Sequence, residues 1–317
     1  MSSASSSLYT PHRRSRRWLG PIFGVACFLA TLTGVVVLSV VLGAVIAAAL
    51  RRPGAEPWYA IGSHARDLFD LLVALAKKPQ SSDPLLAGFR AGVVGSMWML
   101  VLVAVFAIPF GVGAAVFLEE YVPPGPWRRI IQTNIANLAG VPSIVYGILG
   151  LALFVRAFGF KNLAMGRTLL AGSLTLSLLV LPVIVIATQE ALRTVPNSLR
   201  QAALALGATR WQMVRDHVLP AALPGILTGT ILSLSRAIGE TAPLLMVGAA
   251  GAIGVLPKSP FDRYTVLPVE IYNYAKNPKV QFQTVTAGGI LILLLLLLTM
   301  NATAIIIRNR YGRPGRG

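Results

Sequence analysis

Long apolar runs alternate with short polar segments along the whole chain. A helix that crosses the hydrocarbon core of a bilayer needs about 20 apolar residues, and each run reaches that length. The runs predict six membrane spans, at about 19–48, 91–118, 130–155, 169–189, 223–249 and 285–307. The pattern therefore predicts an all-α integral membrane protein.

The first run is too long for a cleaved signal peptide. Residues 18–50 contain no charged residue, whereas the apolar core of a signal peptide has about 7–15 residues. We therefore expect a retained first span. Pro142 and Pro182 lie inside later runs and are expected to interrupt the backbone hydrogen bonds locally, which a membrane helix tolerates beside a neighbouring helix or a cavity.

Composition and charge agree with a membrane protein. Of all residues, 55% are hydrophobic and 12% are charged, against about 25% charged in soluble proteins. The net charge is +17, but most Lys and Arg residues border the apolar runs, which favours anchoring to membrane lipid over nucleic-acid binding. Six spans put both tails on one side. Lys and Arg divide almost equally between the two sides, and the basic clusters beside the first and last spans favour cytoplasmic termini.

The polar segment before the fifth run has the pattern of two short helices joined at a glycine. Pro196 precedes good helix formers, and Gly207 occupies the position of a C-terminal cap. Thr209 can cap a second helix, which Pro220 is expected to end. The small side chains of one face would let another protein approach closely (Ala202, Ala203 and Ala205). A pair of helices lying in the membrane interface is the alternative.

A charged pair lies within the fifth apolar run. Arg236 and Glu240 are four residues apart, so a helix would place them on one face. A charge at the centre of a span costs about 2.5–3.5 kcal/mol or more, so such a residue is a candidate functional site. One hypothesis is a structural ion pair that holds helices together. The other is an anion pathway, since a guanidinium binds phosphate through two parallel hydrogen bonds.

Polar residues near this pair extend the candidate pathway. Ser233, Ser235 and Thr241 could add hydrogen bonds, although hydroxyl groups in spans often bond to their own backbone. Pro243 is expected to kink the helix just beyond the pair. Polar residues of the third run either line the same cavity or hold helices together (Asn134, Asn137, Ser143 and Tyr146).

Three stretches resemble a known family. The segment QAALALGATRWQMVRDHVLP (201–220) is similar to the cytoplasmic coupling loop of ABC importer permeases. The stretches NLAGVPSIVYG (137–147) and SRAIGETAPLL (235–245) resemble phosphate-specific permeases of the PstA type. The resemblance extends over about 85–308. Gln201 departs from the family pattern, which usually has Glu there. The matching loop positions are Ala202, Ala203, Gly207, Leu219 and Pro220.

The resemblance implies a type I ABC importer permease fold with six transmembrane helices and a cytoplasmic coupling loop between the fourth and fifth spans. It implies half of a phosphate pathway, formed with a second permease subunit of the PstC type. The coupling loop would insert into an ATP-binding ABC subunit, itself a dimer. The long outer loop at 250–284 could receive an extracytoplasmic phosphate-binding protein, could cap the pore, or could do both. The implied organisation is a basic cytoplasmic tail (1–17), a first span with an outer loop (18–84), the permease domain (85–308, with the coupling loop at 190–222) and a second basic tail (309–317).

Other function classes remain open at this point. The leading hypothesis is a phosphate permease of the bacterial inner membrane, and the first alternative is an ABC permease for another oxyanion or small solute. A stand-alone channel would not need the coupling loop. An intramembrane enzyme would need a cluster of acids, histidines or nucleophiles, and the spans contain no such cluster. No nucleotide-binding loop occurs, the three histidines lack metal-ligand spacing and Cys27 is the single cysteine. We therefore expect a non-enzymatic subunit without a metal or cofactor, and ATP hydrolysis on a partner.

Overall fold

A computed structural model describes residues 19–50, 64–160, 164–249 and 256–311. The predicted N-terminal tail (1–17), the end of the predicted C-terminal tail (312–317) and parts of the predicted outer loops (51–63 and 250–255) lie outside these ranges. No β-strand occurs in the described ranges, which confirms the predicted all-α class. The helices are α1 (Leu19–Leu50), α2 (His64–Lys77), α3 (Arg90–Val116), α4 (Pro126–Ala139), α5 (Ser143–Gly150), α6 (Leu169–Arg193), α7 (Asn197–Ala205), α8 (Arg210–Met213), α9 (Leu219–Gly239), α10 (Ala242–Val247), α11 (Leu267–Ala275) and α12 (Gln281–Tyr311).

Five helices of the described ranges are each long and apolar enough to cross a membrane, and the third predicted span is bent. That span consists of α4 and α5 with its extension to Val155, which meet at 98°. The bend falls at Gly140–Val141–Pro142, as predicted from Pro142, because proline lacks the N–H needed to continue the helix. The Tyr146 hydroxyl donates a hydrogen bond to the Leu138 carbonyl oxygen at 2.8 Å and so ties the two arms together. Pro182 lies inside α6, which continues on both sides of it.

Helix α6 lies at the centre of the bundle. Most of its apolar residues are buried between α3 and α9. Glycines bring the neighbouring backbones close: a Cβ on Gly111 of α3 would lie 2.7 Å from Ile184, and one on Gly229 of α9 would lie 2.4 Å from Ala187. In lipid no hydrophobic driving force acts between helices. Small residues at such contacts let the helices approach closely, and the resulting van der Waals packing holds them together.

Contacts between helix ends set the direction of the spans. Glu119, just past α3, bonds to Arg193 at the end of α6, so both helices end on one side of the membrane. The intervening chain must therefore cross, which makes the bent α4–α5 pair the sixth span. Arg308 of α12 donates to Thr228 in the middle of α9 at 3.2 Å, and Asn301, earlier in α12, contacts Ser235, later in α9. Helix α12 therefore runs antiparallel to α9 and ends on that side too. We name this side, which carries α7 and α8, the loop side.

The peripheral helices join the bundle unequally. Helix α1 packs only through its last turns, where Ala49 meets Ala287 and Leu291 of α12, and its side chains from 21 to 43 are exposed. On the side opposite the loop side, α2 and α11 pack against α3 and α12 around Phe89, Tyr274 and Phe282. The helical apolar spacing of residues 67–76 thus marks a true helix, α2.

Candidate functional site

The predicted two-helix loop is present on the loop side. Helix α7 ends before Gly207, whose φ of +85° lies in the left-handed region that favours glycine. Thr209 then caps α8: its hydroxyl accepts from the Gln212 backbone N–H at 3.3 Å, and the Gln212 side chain accepts from the Thr209 N–H at 2.8 Å. This reciprocal pair is a capping box, so the turn is defined by local sequence alone.

The second helix of the loop does not end at Pro220, contrary to expectation. Helix α8 passes through a π-turn at Val214–Val218 into α9, and the segment Arg210–Gly239 forms one continuous helical rod. Proline normally disrupts a helix because its ring meets the carbonyl of residue i−4. The widened turn directly before Pro220 accommodates the ring. The coupling loop is therefore continuous with the fifth span.

The predicted contact residues of the loop differ in exposure. Gln201 and Ala202 are exposed, whereas Ala203 is buried against Met213, Val214 and their neighbours and cannot form an outer face. Leu219 is half-buried and Pro220 is exposed. The structure adds apolar residues that sequence reasoning missed: Leu206 is 90% exposed, and Leu204 and Trp211 are also exposed. In the sequence, the apolar residues on both sides of the glycine turn were the available signal, because apolar side chains that stay exposed there would form a contact surface.

An ion-pair cluster on the loop side was not predicted. Helix α3 ends in a π-turn (Phe117–Tyr121) that carries Glu119 and Glu120. Glu119 pairs with Arg128 at 2.5 Å and Arg193 at 3.2 Å, and Glu120 pairs with Arg200 at 2.8 Å. The three arginines belong to α4, α6 and α7. The two adjacent acids thus connect the end of α3 to three other elements.

The predicted intramembrane pair forms, but not in the middle of a helix. The Arg236 Nε lies 3.4 Å from Glu240 Oε1. Helix α9 ends at Gly239, and Glu240 has extended backbone angles. The break precedes the expected kink at Pro243 because, in a continuous helix, its ring would collide with the Gly239 carbonyl. Arg236 thus lies in the last turn of α9 and Glu240 at the junction with α10.

Exposure separates the two members of the pair. The Arg236 side chain is 55% exposed and the Glu240 side chain 18%. Leu232, one turn earlier, is exposed on the same face. The guanidinium therefore points away from the bundle of this chain. Because a charge facing lipid is costly, this face needs a protein or aqueous neighbour.

The two serine hydroxyl groups near the pair are already bonded. Ser233 donates to the Gly229 carbonyl and Ser235 to the Ile231 carbonyl, each at 2.8 Å. Ser235 also contacts the Asn301 side chain of α12. Thr241 is half-buried at the break. Of the predicted pathway residues, the structure therefore groups Arg236, Glu240 and Thr241, whereas Ser235 joins α9 to α12.

The third span lies beside the break through α5. A Cβ on Gly147 would be 2.7 Å from the Pro243 Cα atom. Tyr146 holds the two arms of that span together, and the Asn134 side chain donates to the Ile130 carbonyl of its own helix at 2.8 Å. Asn137 is exposed and Ser143 half-buried. Of the four polar residues of this span, Asn134 and Tyr146 thus bond to backbone carbonyls within the span.

Comparison with known proteins places this arrangement in a family. Residues 107–311 match the family described as "Binding-protein-dependent transport system inner membrane component". The chain belongs to this family. The permease is 39% identical over 194 residues to the probable ABC transporter permease protein YqgH of Bacillus subtilis, and 40% identical over 197 residues to the phosphate transport system permease protein PstA of Mycobacterium leprae. The resemblance to PstA-type permeases is thereby confirmed.

These matches cover part of each protein. They include 61% of the permease in both cases, and 62% of YqgH and 61% of PstA, so the permease spans less than two thirds of either relative. Among solved structures, a chain of a bacterial alginate ABC transporter, in complex with an alginate-bound periplasmic protein, superposes with a TM-score of 0.64 at 16% identity. That match covers 95% of the permease and 100% of the other chain. This likeness confirms the importer permease fold.

Proposed function

We propose that this chain is the membrane-spanning permease subunit of an ATP-driven inorganic phosphate importer. The observation that carries the proposal is the outward-facing guanidinium of Arg236, held by Glu240 in the last turn of an apolar helix. A planar fork of donors suits a tetrahedral oxyanion. The similarity to PstA relatives supports phosphate as that anion.

A second permease subunit, of the PstC type, completes the pathway in this proposal. Arg236 is directed away from its own bundle, and one guanidinium cannot neutralise a dianion. A partner that covers this face would remove the guanidinium from lipid and supply a second positive group. Each permease would then contribute half of the pathway, with Ser235 and Thr241 at its edge.

The coupling loop transmits ATP binding from a dimeric ATPase subunit. The exposed residues Gln201, Ala202 and Gly207 form the contact, and Leu206 and Trp211 extend it. This surface is supported by Ala203, which is buried beneath it, and by Leu219 and Pro220, which lie beside it. The rod Arg210–Gly239 supports a direct path from loop to anion site, since it joins both. ATP hydrolysis belongs to the partner, and Gln201 offers that partner an amide in place of the family's carboxylate.

The loop side is the cytoplasmic side in this proposal, with both termini there and the chain in the bacterial inner membrane. The described part of the outer loop, 256–280, then faces the extracytoplasmic space. It carries the exposed residues Lys258, Phe261 and Arg263. A soluble phosphate-binding protein would deliver its anion to this surface.

Phosphate uptake into proteoliposomes that contain the complete importer tests the proposal. We expect Arg236→Lys to reduce uptake about tenfold or more because lysine lacks the bidentate fork. The matched control, Arg129→Lys, changes an exposed arginine at the loop side and should leave uptake unchanged. Full uptake by Arg236→Leu, in a complex that still contains the ATPase, would contradict the proposal.

Glu240 is proposed to select the protonated phosphate dianion. It can accept the remaining proton of HPO₄²⁻, whereas sulfate has none to donate and would be repelled. We expect Glu240→Gln to lower phosphate flux while the complex still assembles. Unchanged flux, with sulfate still excluded, would remove this role for Glu240.

A further inference from the structure

The cytoplasmic ion-pair cluster suggests how a movement of α7 reaches the rest of the bundle. Arg200 lies in the middle of α7, and Glu120 lies in the π-turn after α3. We propose that this pair is the mechanical joint that makes α3 move together with α7. The inference rests on the proposed function only in that an ATPase acts on α7.

The guanidinium of Arg200 bonds to three elements at once. Its Nη2 donates to Glu120 Oε1 at 2.8 Å and to the Leu192 carbonyl at 2.8 Å. Its Nη1 donates to the Val195 carbonyl at 2.7 Å. The two carbonyls belong to the end of α6 and the chain just after it. One side chain therefore connects α7 to the ends of both α3 and α6.

Burial distinguishes this pair from the other ion pairs of the described ranges. The Glu120 side chain is 5% exposed, the lowest value of any ion-pair member there, and Arg200 is 17% exposed. By contrast, Arg193 and Glu190 are 43% and 65% exposed. Exposed pairs contribute little, whereas loss of one partner from a buried pair is costly. The Glu119–Arg128 pair is nearly as buried, at 13% and 16%, but it joins the end of α3 to α4. Among the described residues, Glu120–Arg200 is therefore the buried ion pair that connects the end of α3 to α7.

The joint supplies a route that the backbone does not. The rod Arg210–Gly239 links the coupling loop to α9 through continuous helix. No backbone links α7 directly to α3, from which it is separated by α4, α5 and α6 in sequence. With the joint intact, α3 follows α7 as α9 follows α8. Without it, α9 moves while α3 remains behind.

Distances between spin labels in the whole importer complex test the joint. Labels on Ser198→Cys and Phe117→Cys, both exposed and placed in a Cys27→Ser background, report the separation of α7 from the end of α3. In the otherwise unchanged complex we expect the same distance in the nucleotide-free state and in the state trapped with ATP and vanadate. In Glu120→Gln and Arg200→Lys we expect the distance to change between these states. A distance that stays constant in both variants overturns the proposal, as does one that changes with Glu120 and Arg200 intact.

A second measurement separates a joint from a fold support. We expect both variants to retain the ATPase and its hydrolysis rate, while solute moved per ATP falls about tenfold. The control Glu190→Gln, which breaks an exposed pair, should leave this ratio unchanged. If the variant complexes lost the ATPase, the proposal would be overturned, because the pair would then be needed for the assembly of the complex and not for joint movement of α3 and α7. Because the label distances need no solute, a complex that failed to carry phosphate would refute the proposed function and leave the joint testable.

Discussion

At the scale of single residues, Glu270 of α11 is an acidic group poorly matched to its apolar surroundings. Its side chain is fully buried, and neither carboxylate oxygen makes a well-formed hydrogen bond in the described ranges. It faces Gly92 at the start of α3, where a Cβ would lie 2.4 Å from Oε2. Burial raises the pKa of Glu270 to about 8, and the Gly92 backbone N–H opposes part of that rise. The residue is therefore held mainly as the neutral acid near neutral pH.

Replacing Glu270 by glutamine should remove a pH dependence of stability. The folded chain binds this proton more tightly than the unfolded chain, so the free energy of unfolding falls as pH rises from about 4.5 to about 8. The slope there is about 1.4 kcal/mol per pH unit at most. Glu270→Gln keeps the shape without the charge, and we expect it to melt higher than the unsubstituted protein at pH 8 and similarly at pH 4.5. If the melting temperatures of the variant and the unsubstituted protein differed by the same amount at every pH from 4.5 to 8, this assignment would be contradicted.

Gly207 is required for its backbone angle, since nothing lies within 4 Å of a Cβ built there. Gly207→Ala should therefore cost roughly 1–2 kcal/mol through strain alone. We expect faster proteolysis of the coupling loop and weaker retention of the ATPase on purification. Gly34→Ala serves as a control, because it lies in α1 with equally open space but ordinary helical angles. If both variants resisted protease equally well, the loop would not require the left-handed backbone angle of Gly207.

At the scale of elements, α5 and α10 approach so closely that a methyl group cannot enter. A Cβ on Gly147 would meet the Pro243 Cα at 2.7 Å, and backbone atoms cannot rotate away as a side chain can. We expect Gly147→Ala to cost about 1–3 kcal/mol and to displace α10, which begins two residues after Glu240. Melting temperature and phosphate uptake should both fall. Gly113→Ala, with nothing within 4 Å in α3, should change neither.

The sequence predicted the elements better than their breaks. Apolar run length is enough to predict spans, and Pro142 marked the bend in the third, because both signals are local. Gly207 and Thr209 likewise defined the coupling loop. Two features were not predictable in this way: the helix ends before Pro243, and it continues through Pro220. Each depends on whether the neighbouring helical turn ends or widens, and residue type alone does not determine that.

The candidate site was predictable to the extent that its members are close in sequence. Arg236 and Glu240 stand four positions apart inside an apolar run, and they do pair. Glu120 and Arg200 are 80 positions apart in polar segments where charges are common. Only the folded bundle brings these two together. The burial of Ala203 and the bond between Ser235 and Asn301 are tertiary contacts of the same kind.

At the scale of the whole molecule, the number of crossings determines where the tails lie. The bond between Glu119 and Arg193 requires the bent α4–α5 pair to cross, which brings the crossings of the described helices to six, so we expect both tails on one side. Single cysteines at Ser6→Cys or Gly317→Cys, in a Cys27→Ser background, test this. We expect a membrane-impermeant maleimide to label both in inside-out vesicles and neither in right-side-out vesicles. Labelling of the two tails in opposite vesicle types would mean an odd number of crossings.

The continuous rod from Arg210 to Gly239 has a geometric consequence for the ion pair at its far end. Thirty residues at 1.5 Å each make a lever about 45 Å long, and a tilt of about 5° about one end displaces the other by about 4 Å. That displacement is as large as the 3.4 Å gap between Arg236 and Glu240. Arg236 travels with the tip of the lever, while Glu240 sits past its end. A tilt of this size about the loop-side end is therefore enough to separate the guanidinium from the carboxylate.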